Sequence, residues 1–389
     1  MTDAGLARAA RALLAGNFAI GCGVMVAAGS LNDITASLRV PVAVSGQLIS
    51  VAAVAMALGA PLLAMLLGGL DRRRLLTAAM VWYAVGHTLS ALMPDFATLL
   101  PVRALTMLAA AVFTPQAAAA MTVMAPPGQR ARAITMIFLG WSLSSVLGMP
   151  LHSYIGETLG WRWAFALVAL LSTIAALWVW RTVPDGVRPP PMTLASWRRT
   201  LTHPLLMGMV AVTVLSAAGQ FTVFTYFAPY YREVLGAGAA GVSALFLWFG
   251  ACGLVGNLLL TRLIQRFGVE RCVGGALALI ALSLLLWPLA GTVATMALVT
   301  MPWALGCFSS NSGQQARLSI AAPALAMALL ALNTSAMYLG QAIGAAGGGL
   351  MVAAAGFAQL HWVGLAWMLL AIALSTHLAR RTKGRPVDV

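Results

Sequence analysis

Charge is scarce in this chain. Of its 389 residues 8% are charged and 61% are hydrophobic, whereas an ordinary soluble domain carries about 25% charged residues. That excludes a water-soluble globule and predicts an integral membrane protein. Acids are the scarcer sign: nine Asp and Glu stand against 23 Lys and Arg, a formal net charge of +14, and lysine occurs once, as Lys383. In a membrane protein such basic residues mark orientation and contact with anionic lipid, here expected at the cytoplasmic face, and not nucleic-acid binding. The four cysteines, Cys22, Cys252, Cys272 and Cys307, lie in apolar runs at unrelated spacings. With no Cys-x-x-Cys pair or Cys/His cluster, neither metal, redox work nor a cofactor is expected. HExxH, GxSxG, a phosphate-binding loop and paired carboxylates within a span are missing too, which argues against a membrane-embedded enzyme and against an ATP-driven pump. Within this sequence the longest hydrophilic stretch is Thr182–His203, which leaves no soluble domain through which a sensor would pass a signal.

What the chain has in abundance is uncharged runs long enough to cross a bilayer, for which a helix needs about 20 residues. They predict twelve spans, at 13–32, 45–67, 75–94, 98–122, 133–156, 161–181, 204–228, 239–261, 271–290, 292–316, 324–352 and 359–379. Arg8 and Arg11 precede the first, which is too long for a signal-peptide core and reads as an uncleaved span. With both termini in the cytoplasm, 19 of the 23 basic residues fall on the cytoplasmic side, leaving only Arg39, Arg103, Arg162 and Arg232 toward the outside; the positive-inside rule predicts that orientation. Thr182–His203, with Pro184, Pro189, Pro190 and Pro191, is then a cytoplasmic linker (182–203) between a six-helix unit, 1–181, and a second, 204–389.

One stretch organises the rest. In GWSLSSVLGMPLHSYIG, from Gly140 to Gly156, residues Gly140, Ser144, Gly148 and His152 fall four apart and share one face of a helix. Three of the four are small, so a second helix can come close; Pro150 removes a backbone donor and permits a bend. Adding 196 gives Ala336, Gly340, Gly344 and Gly348, inside YLGQAIGAAGGGL. A lone stripe of this kind reads as helix packing. Repeated at a half-chain offset, it predicts two related halves meeting around a centre, as in many secondary transporters.

Twelve spans, a central linker and short basic loops after spans two and eight resemble the major facilitator superfamily. VLGMPL (146–151) followed by Gly160-Trp161-Arg162 resembles the fifth-span antiporter motif of its twelve-span drug:proton antiporter group, which includes sugar-efflux and chloramphenicol-resistance permeases. GAPLL (59–63) with LDRRRLL (70–76), and LNDITASL (31–38), resemble that group's second-span, loop and first-span signatures. The loop departs from the pattern at Leu67 and Arg74, where glycines are usual, and alanines replace the glycines expected after Arg103. The resemblance implies an all-α membrane fold of two pseudo-symmetric six-helix bundles, residence in the inner (plasma) membrane, and a monomer. It implies a conformational latch at Asp71, Arg72, Arg73 and Arg74. It also places the first and fourth spans side by side, so that Asp33 could carry a proton and Arg103 tune it. The plainer reading makes Asp33 a helix-end cap and the arginine run a positive-inside loop.

Polar and aromatic side chains within spans usually face the protein interior. Those expected around a central cavity are Asn17, Gln47, Gln116, Gln220, Phe224, Tyr226, Asn311, Asn333, Tyr338 and Gln341, with His152 either titrating or merely hydrogen-bonded in packing. Amides and phenols without fixed charge suit a neutral or amphipathic small molecule. The expected activity is export of such solutes in exchange for protons by alternating access. A sugar or nucleoside exporter of the same fold and an uncoupled facilitator are the rivals.

Overall fold

The computed structural model describes residues 3–126, 130–188 and 194–382, and among them there is no strand. The first span is α1 (Asp3–Gly29); α2 (Leu31–Leu38) and α3 (Val42–Ser45) turn the chain into the second, α4 (Gln47–Leu66). The third and fourth are α5 (Arg72–Leu92) and α6 (Phe96–Met124). The fifth is α7 (Arg130–Leu143), a π-helical turn over Ser144–Gly148, and α8 (Met149–Thr158). After α9 (Trp161–Thr182), the sixth, a short α10 (Leu194–Thr202) leads into α11 (Pro204–Phe224) and its continuation α12 (Phe227–Glu233), the seventh. The eighth to twelfth are α13 (Ala239–Phe267), α14 (Val269–Leu286), α15 (Val293–Ala321), α16 (Ala326–Ala355) and α17 (Leu360–Thr382). Among the described residues, eleven of the twelve spans include a helix long and apolar enough to cross a membrane; the fifth, divided by its π-helical turn, does not. Between their ends, helices satisfy their backbone donors internally, as a bilayer demands.

The few polar residues at span ends do local work. Asp71 accepts from the Arg74 amide and starts α5, Asp95 accepts from the Thr98 amide and starts α6, and Thr292 forms a capping box with Thr295 at the start of α15. Such caps satisfy otherwise orphaned amides. The predicted bend at Pro150 is the π turn, which ends one residue before Met149 and leaves the proline in the first turn of α8. Two expectations need correction. Asp33 does not end the first span: α1 stops at Gly29, and Asp33 lies in the first turn of the separate α2.

The second correction concerns the glycine stripes, which join helices within each half and not the halves to each other. Gly140 lies against the backbone of Leu14 and Phe18, Ser144 against Gly21, and Gly148 against Cys22, so the fifth span packs on the first. Gly340 lies against Val214 and Ala217, Gly344 against Ala218, and Gly348 against Thr222 and Tyr226, so the eleventh packs on the seventh. The register is common to both: Cys22 and Ala218, like Gly148 and Gly344, are 196 apart, and each glycine meets its own half's member of the pair. Across the halves, Gly250 of α13 meets Ser145 and Val146 in the π turn, and Ser243 Oγ donates to Pro150 O at 2.9 Å. Asn32 Nδ2 donates to Ala228 O at 3.2 Å, and these residues are themselves 196 apart. Symmetry mates in contact mark where a pseudo-twofold axis leaves the molecule. Large apolar side chains such as Leu170, Leu285 and Leu350 stay exposed on the outer surface, where lipid would cover them.

Candidate functional site

Between the halves lies a cavity of about 510 Å³. Its lining extends from Ala28 and Thr225 to Ile264 and Ala316, the last beside Arg317. It therefore reaches the end of the molecule that holds the basic loops, the arginine-rich end, and stops short of the other.

The two walls differ in chemistry. No Asp, Glu, Lys, Arg or His is among the lining residues, while hydroxyls and amides number thirteen from the second half and two from the first. The first half offers Val24, Met25, Ile49, Phe138 and Trp141, and of its two polar members Thr114 already donates to Asn17 Oδ1 at 2.6 Å. The second half offers amides on four helices, Gln220, Asn257, Asn311 and Gln341 among them. Buried side chains hold some of these in place. Asn333 donates to Asn311 Oδ1 at 3.1 Å and accepts from Thr213 Oγ1 at 2.6 Å; Trp303 Nε1 donates to Gln220 Oε1 at 3.3 Å.

Of the residues the sequence nominated, Gln220, Phe224, Asn311, Tyr338 and Gln341 line the cavity, and Asn333 supports it from behind. Asn17 also sits behind the wall, holding Thr114 and Ile137 O. The others are corrections. Gln47 is exposed at the start of α4; Gln116 is buried away from the lining. Tyr226 donates to Ala345 O at 2.8 Å, wedged against Gly348 and Gly46. His152 is fully buried outside the cavity, and neither ring nitrogen has a partner. Missing from that set were Asn257, Gln314 and Gln315. Their signal is the same, an amide inside a predicted span, here near the span end and close to Arg262, Arg266 and Arg317. Gln314 donates to Met209 O at 2.5 Å, and its buried Oε1 has no partner, an acceptor available to a solute.

Asp33 and Arg103 do not meet. Asp33 Oδ2 accepts from the Trp161 amide at 2.6 Å. Gly160, which precedes α9 at φ +101°, has no side chain with which to cap it, so a carboxylate from α2 does so. Arg103 is fully buried, donates to Val24 O at 3.2 Å, lies 3.4 Å from His87 Nε2 and has its guanidinium 5.7 Å from the centre of the Phe165 ring. The loop after the second span is bound to the segment that follows α9: Asp71 accepts from Gly186 N at 2.6 Å, the Arg72 amide donates to Val187 O at 3.0 Å, and Arg73 pairs with Asp185 at 3.1 Å over Trp180. In the second half Glu270 and Arg317 form a bidentate pair at 2.9 and 2.7 Å, backed by Ser375. Of the basic residues assigned to this end, Lys383 and Arg385 lie outside the described residues.

At the arginine-poor end the halves are closed on each other. Besides Asn32 and Ala228, Glu157 of α8 pairs with Arg232 of α12 at 2.6 Å and accepts from Asn32 Nδ2 at 2.5 Å.

The sequence pattern of the Major Facilitator Superfamily matches residues 13–324. The chain is 30% identical to the inner membrane transport protein YdhP of Escherichia coli, covering 88% of each chain, and 28% identical to a "Probable sugar efflux transporter" of Helicobacter pylori, again over 88% of each. The crystal structure of a D-xylose-proton symporter superposes with a TM-score of 0.79 at 18% identity, covering 98% of this chain and 99% of that one. A charge-free hollow between two helical halves, closed at one end, is thus set in a chain that belongs to the Major Facilitator Superfamily of membrane transporters.

Proposed function

We propose that the protein exports small uncharged or amphipathic organic molecules across the inner membrane in exchange for protons, opening its cavity alternately to the two sides. The units that move are 1–181 and 204–389, joined by the 182–203 linker, and the arginine-rich end is cytoplasmic, as the distribution of basic residues favours. The observation that carries the reading is the cavity itself: an amide wall opposite an apolar wall, with no fixed charge between them. A charged solute would leave its counter-charge unmet there, whereas a molecule with one polar and one greasy face meets both walls. A proton moving down the gradient supplies about 2.3 kcal/mol per 100 mV.

A sugar-like solute is the second reading. Thirteen polar side chains on one wall suit a hydroxylated molecule, and one relative bears the name of a sugar efflux transporter. Uptake of a labelled panel into inverted vesicles, with and without an imposed pH step, tests both. The reading expects accumulation of neutral amphipathic compounds that collapses with the gradient; accumulation of sugars alone selects the second. Flux unchanged by collapse would overturn proton exchange and leave an uncoupled facilitator.

A further inference from the structure

One amide of the polar wall has its polarity fixed from behind. Gln314 of α15 is 3% exposed and lines the cavity at the arginine-rich end. Its Nε2 donates to Met209 O at 2.5 Å, and Met209 is not itself a lining residue. A backbone carbonyl can only accept, so this amide cannot be turned round. The nitrogen must face Met209, and the oxygen is left over. That oxygen is buried and has no partner. A buried acceptor left unmet is costly, so a solute group that meets it gains more than it would at an exposed site. The first half has no equivalent, for the position 196 residues earlier is Ala118.

The hydroxyls around Gln314 lean the same way. Ser310, one turn back on α15, donates to Cys307 O at 2.9 Å, and Thr334 of α16 donates to Leu330 O at 3.0 Å. On α11, Thr213 donates to Asn333 Oδ1 at 2.6 Å and Ser216 to Thr213 O at 3.2 Å. All four line the cavity. A hydroxyl whose single proton is committed elsewhere offers only lone pairs. Gln341 and Tyr338 also line it, and a free amide or phenol can give or take. Among the described lining residues the other buried polar atom without a partner is Thr225 Oγ1, at the closed end; as a hydroxyl it too can do either. The wall therefore asks for a donor at Gln314 and adapts elsewhere.

We propose that Gln314 selects the solute. The molecule this cavity takes carries an uncharged N–H or O–H on its polar side, as a phenol, an indole or a lactam does. The matching ether, furan or N-alkyl compound is rejected. The donor falls on Gln314 Oε1, and the apolar remainder lies against Val24, Ile49 and Trp141 of the other wall. A site whose buried polar group needs a partner discriminates against an analogue lacking that partner more strongly than an apolar pocket discriminates by size. The inference rests on the reading that the cavity holds an amphipathic solute; it needs neither proton exchange nor a direction of transport.

The test is binding without a gradient. The full chain in lipid nanodiscs takes up tritiated indole in a scintillation-proximity assay, with empty nanodiscs subtracted. Unlabelled indole and benzofuran compete as one pair, 1-naphthol and 1-methoxynaphthalene as another; within each pair the shape is similar and the donor is lost. The donor-bearing member should bind about tenfold tighter, the equivalent of one net hydrogen bond. In Gln314→Met that ratio should fall below about twofold. In Gln341→Leu, which removes a group able to give or take, both members should weaken together and the ratio should stand. Thermal unfolding checks that each variant is folded, and the comparison within the parent protein requires no variant. Equal binding within both pairs, or a ratio that survives Gln314→Met, overturns selection by Gln314 and leaves the cavity as the site of an amphipathic solute. Indole that does not bind the parent displaceably overturns the inference as well, whereas loss of proton exchange in the vesicle assay leaves it standing.

Discussion

The two halves share one backbone plan and use it differently. In both, the fifth span of the half packs on the first through small residues, and contacts recur 196 residues apart. Asn17 holds Ile137 O; its counterpart Thr213 holds Asn333, the counterpart of Ile137. Yet bulk is exchanged at the arginine-poor end. In the second half a tyrosine, Tyr226, fills the space left by Gly348; in the first a serine, Ser30, faces His152. The tyrosine hydroxyl finds Ala345 O, while the histidine ring finds nothing. The cavity walls diverge in the same sense, the second half carrying nearly all the polarity. Helix-to-helix distance is set by the small residues and is preserved; the side chains that meet a solute or close a seal are free to differ.

The strongest test of that difference is at two of the buried arginines, Arg103 in the first half and Arg317 in the second. Arg317 is 1% exposed and held bidentately by Glu270, itself 23% exposed, whereas no carboxylate is paired with Arg103 among the described residues. Arg317→Met strands a partly buried anion and should cost about 3 kcal/mol, the low end for breaking a buried pair. Arg103→Met strands none and should cost less, about 1–2 kcal/mol for the lost hydrogen bond to Val24 O and packing. Thermal unfolding in one detergent ranks them; an equal loss would mean that Arg103 has an anionic partner in the folded protein.

The glycine stripes give the next effect. A methyl at Gly344 would strike the Ala218 carbonyl and the Thr222 amide, both backbone. At the equivalent Gly148 it would meet Cys22 Sγ, the end of a side chain. Gly344→Ala should therefore destabilise by about 2 kcal/mol, within the usual overpacking range, and Gly148→Ala by less than about 1 kcal/mol. Adding Cys22→Ala should recover most of the smaller loss only. If the two glycines prove equally sensitive by the same melting assay, the shared register does not extend to packing detail.

Much of this was legible because a bilayer limits the choices. Twelve long apolar runs with almost no charge read as helices, and the structure places turns around 290–292 and 356–359, where the predicted spans divide. The stripe repeat showed the two halves, but not which helices it joins, since a small-residue face looks alike whether its partner is a neighbour or the opposite bundle. Cavity residues were half legible. Composition names an interior amide without its azimuth, so Gln220 and Gln341 were found, while Gln47 and Gln116 were wrongly included. The Glu157–Arg232 pair left no trace in sequence: its members are 75 residues apart and look like ordinary span-end charges.

The unlike cavity walls predict unlike responses to substitution. Gln341→Leu removes an amide from the polar wall and should raise KM for a transported solute about tenfold, the equivalent of one net hydrogen bond. Met25→Leu on the apolar wall keeps volume and hydrophobicity and should change it by less than about twofold. Initial-rate uptake with one solute measures both; the reverse ranking would place solute contacts on the first half.

The smallest effect separates the two carboxylates at the arginine-poor end. Asp33 and Glu157 are both short of competing charge, but Asp33 serves its own half, as the cap that Gly160 cannot supply for α9, and Glu157 spans the halves. Asparagine caps a helix about as well as aspartate, and the charge itself adds about 0.3–1 kcal/mol at a helix N-terminus. Asp33→Asn should therefore lose only that much stability and retain pH-driven transport in full. Asp33→Ala should lose about 1 kcal/mol and still respond to pH. Vesicle uptake across an imposed pH step, measured beside thermal unfolding, decides between cap and proton carrier: transport that no longer follows pH in a well-folded Asp33→Asn protein would return the proton to Asp33 and reduce its contact with Trp161 to a by-product of position.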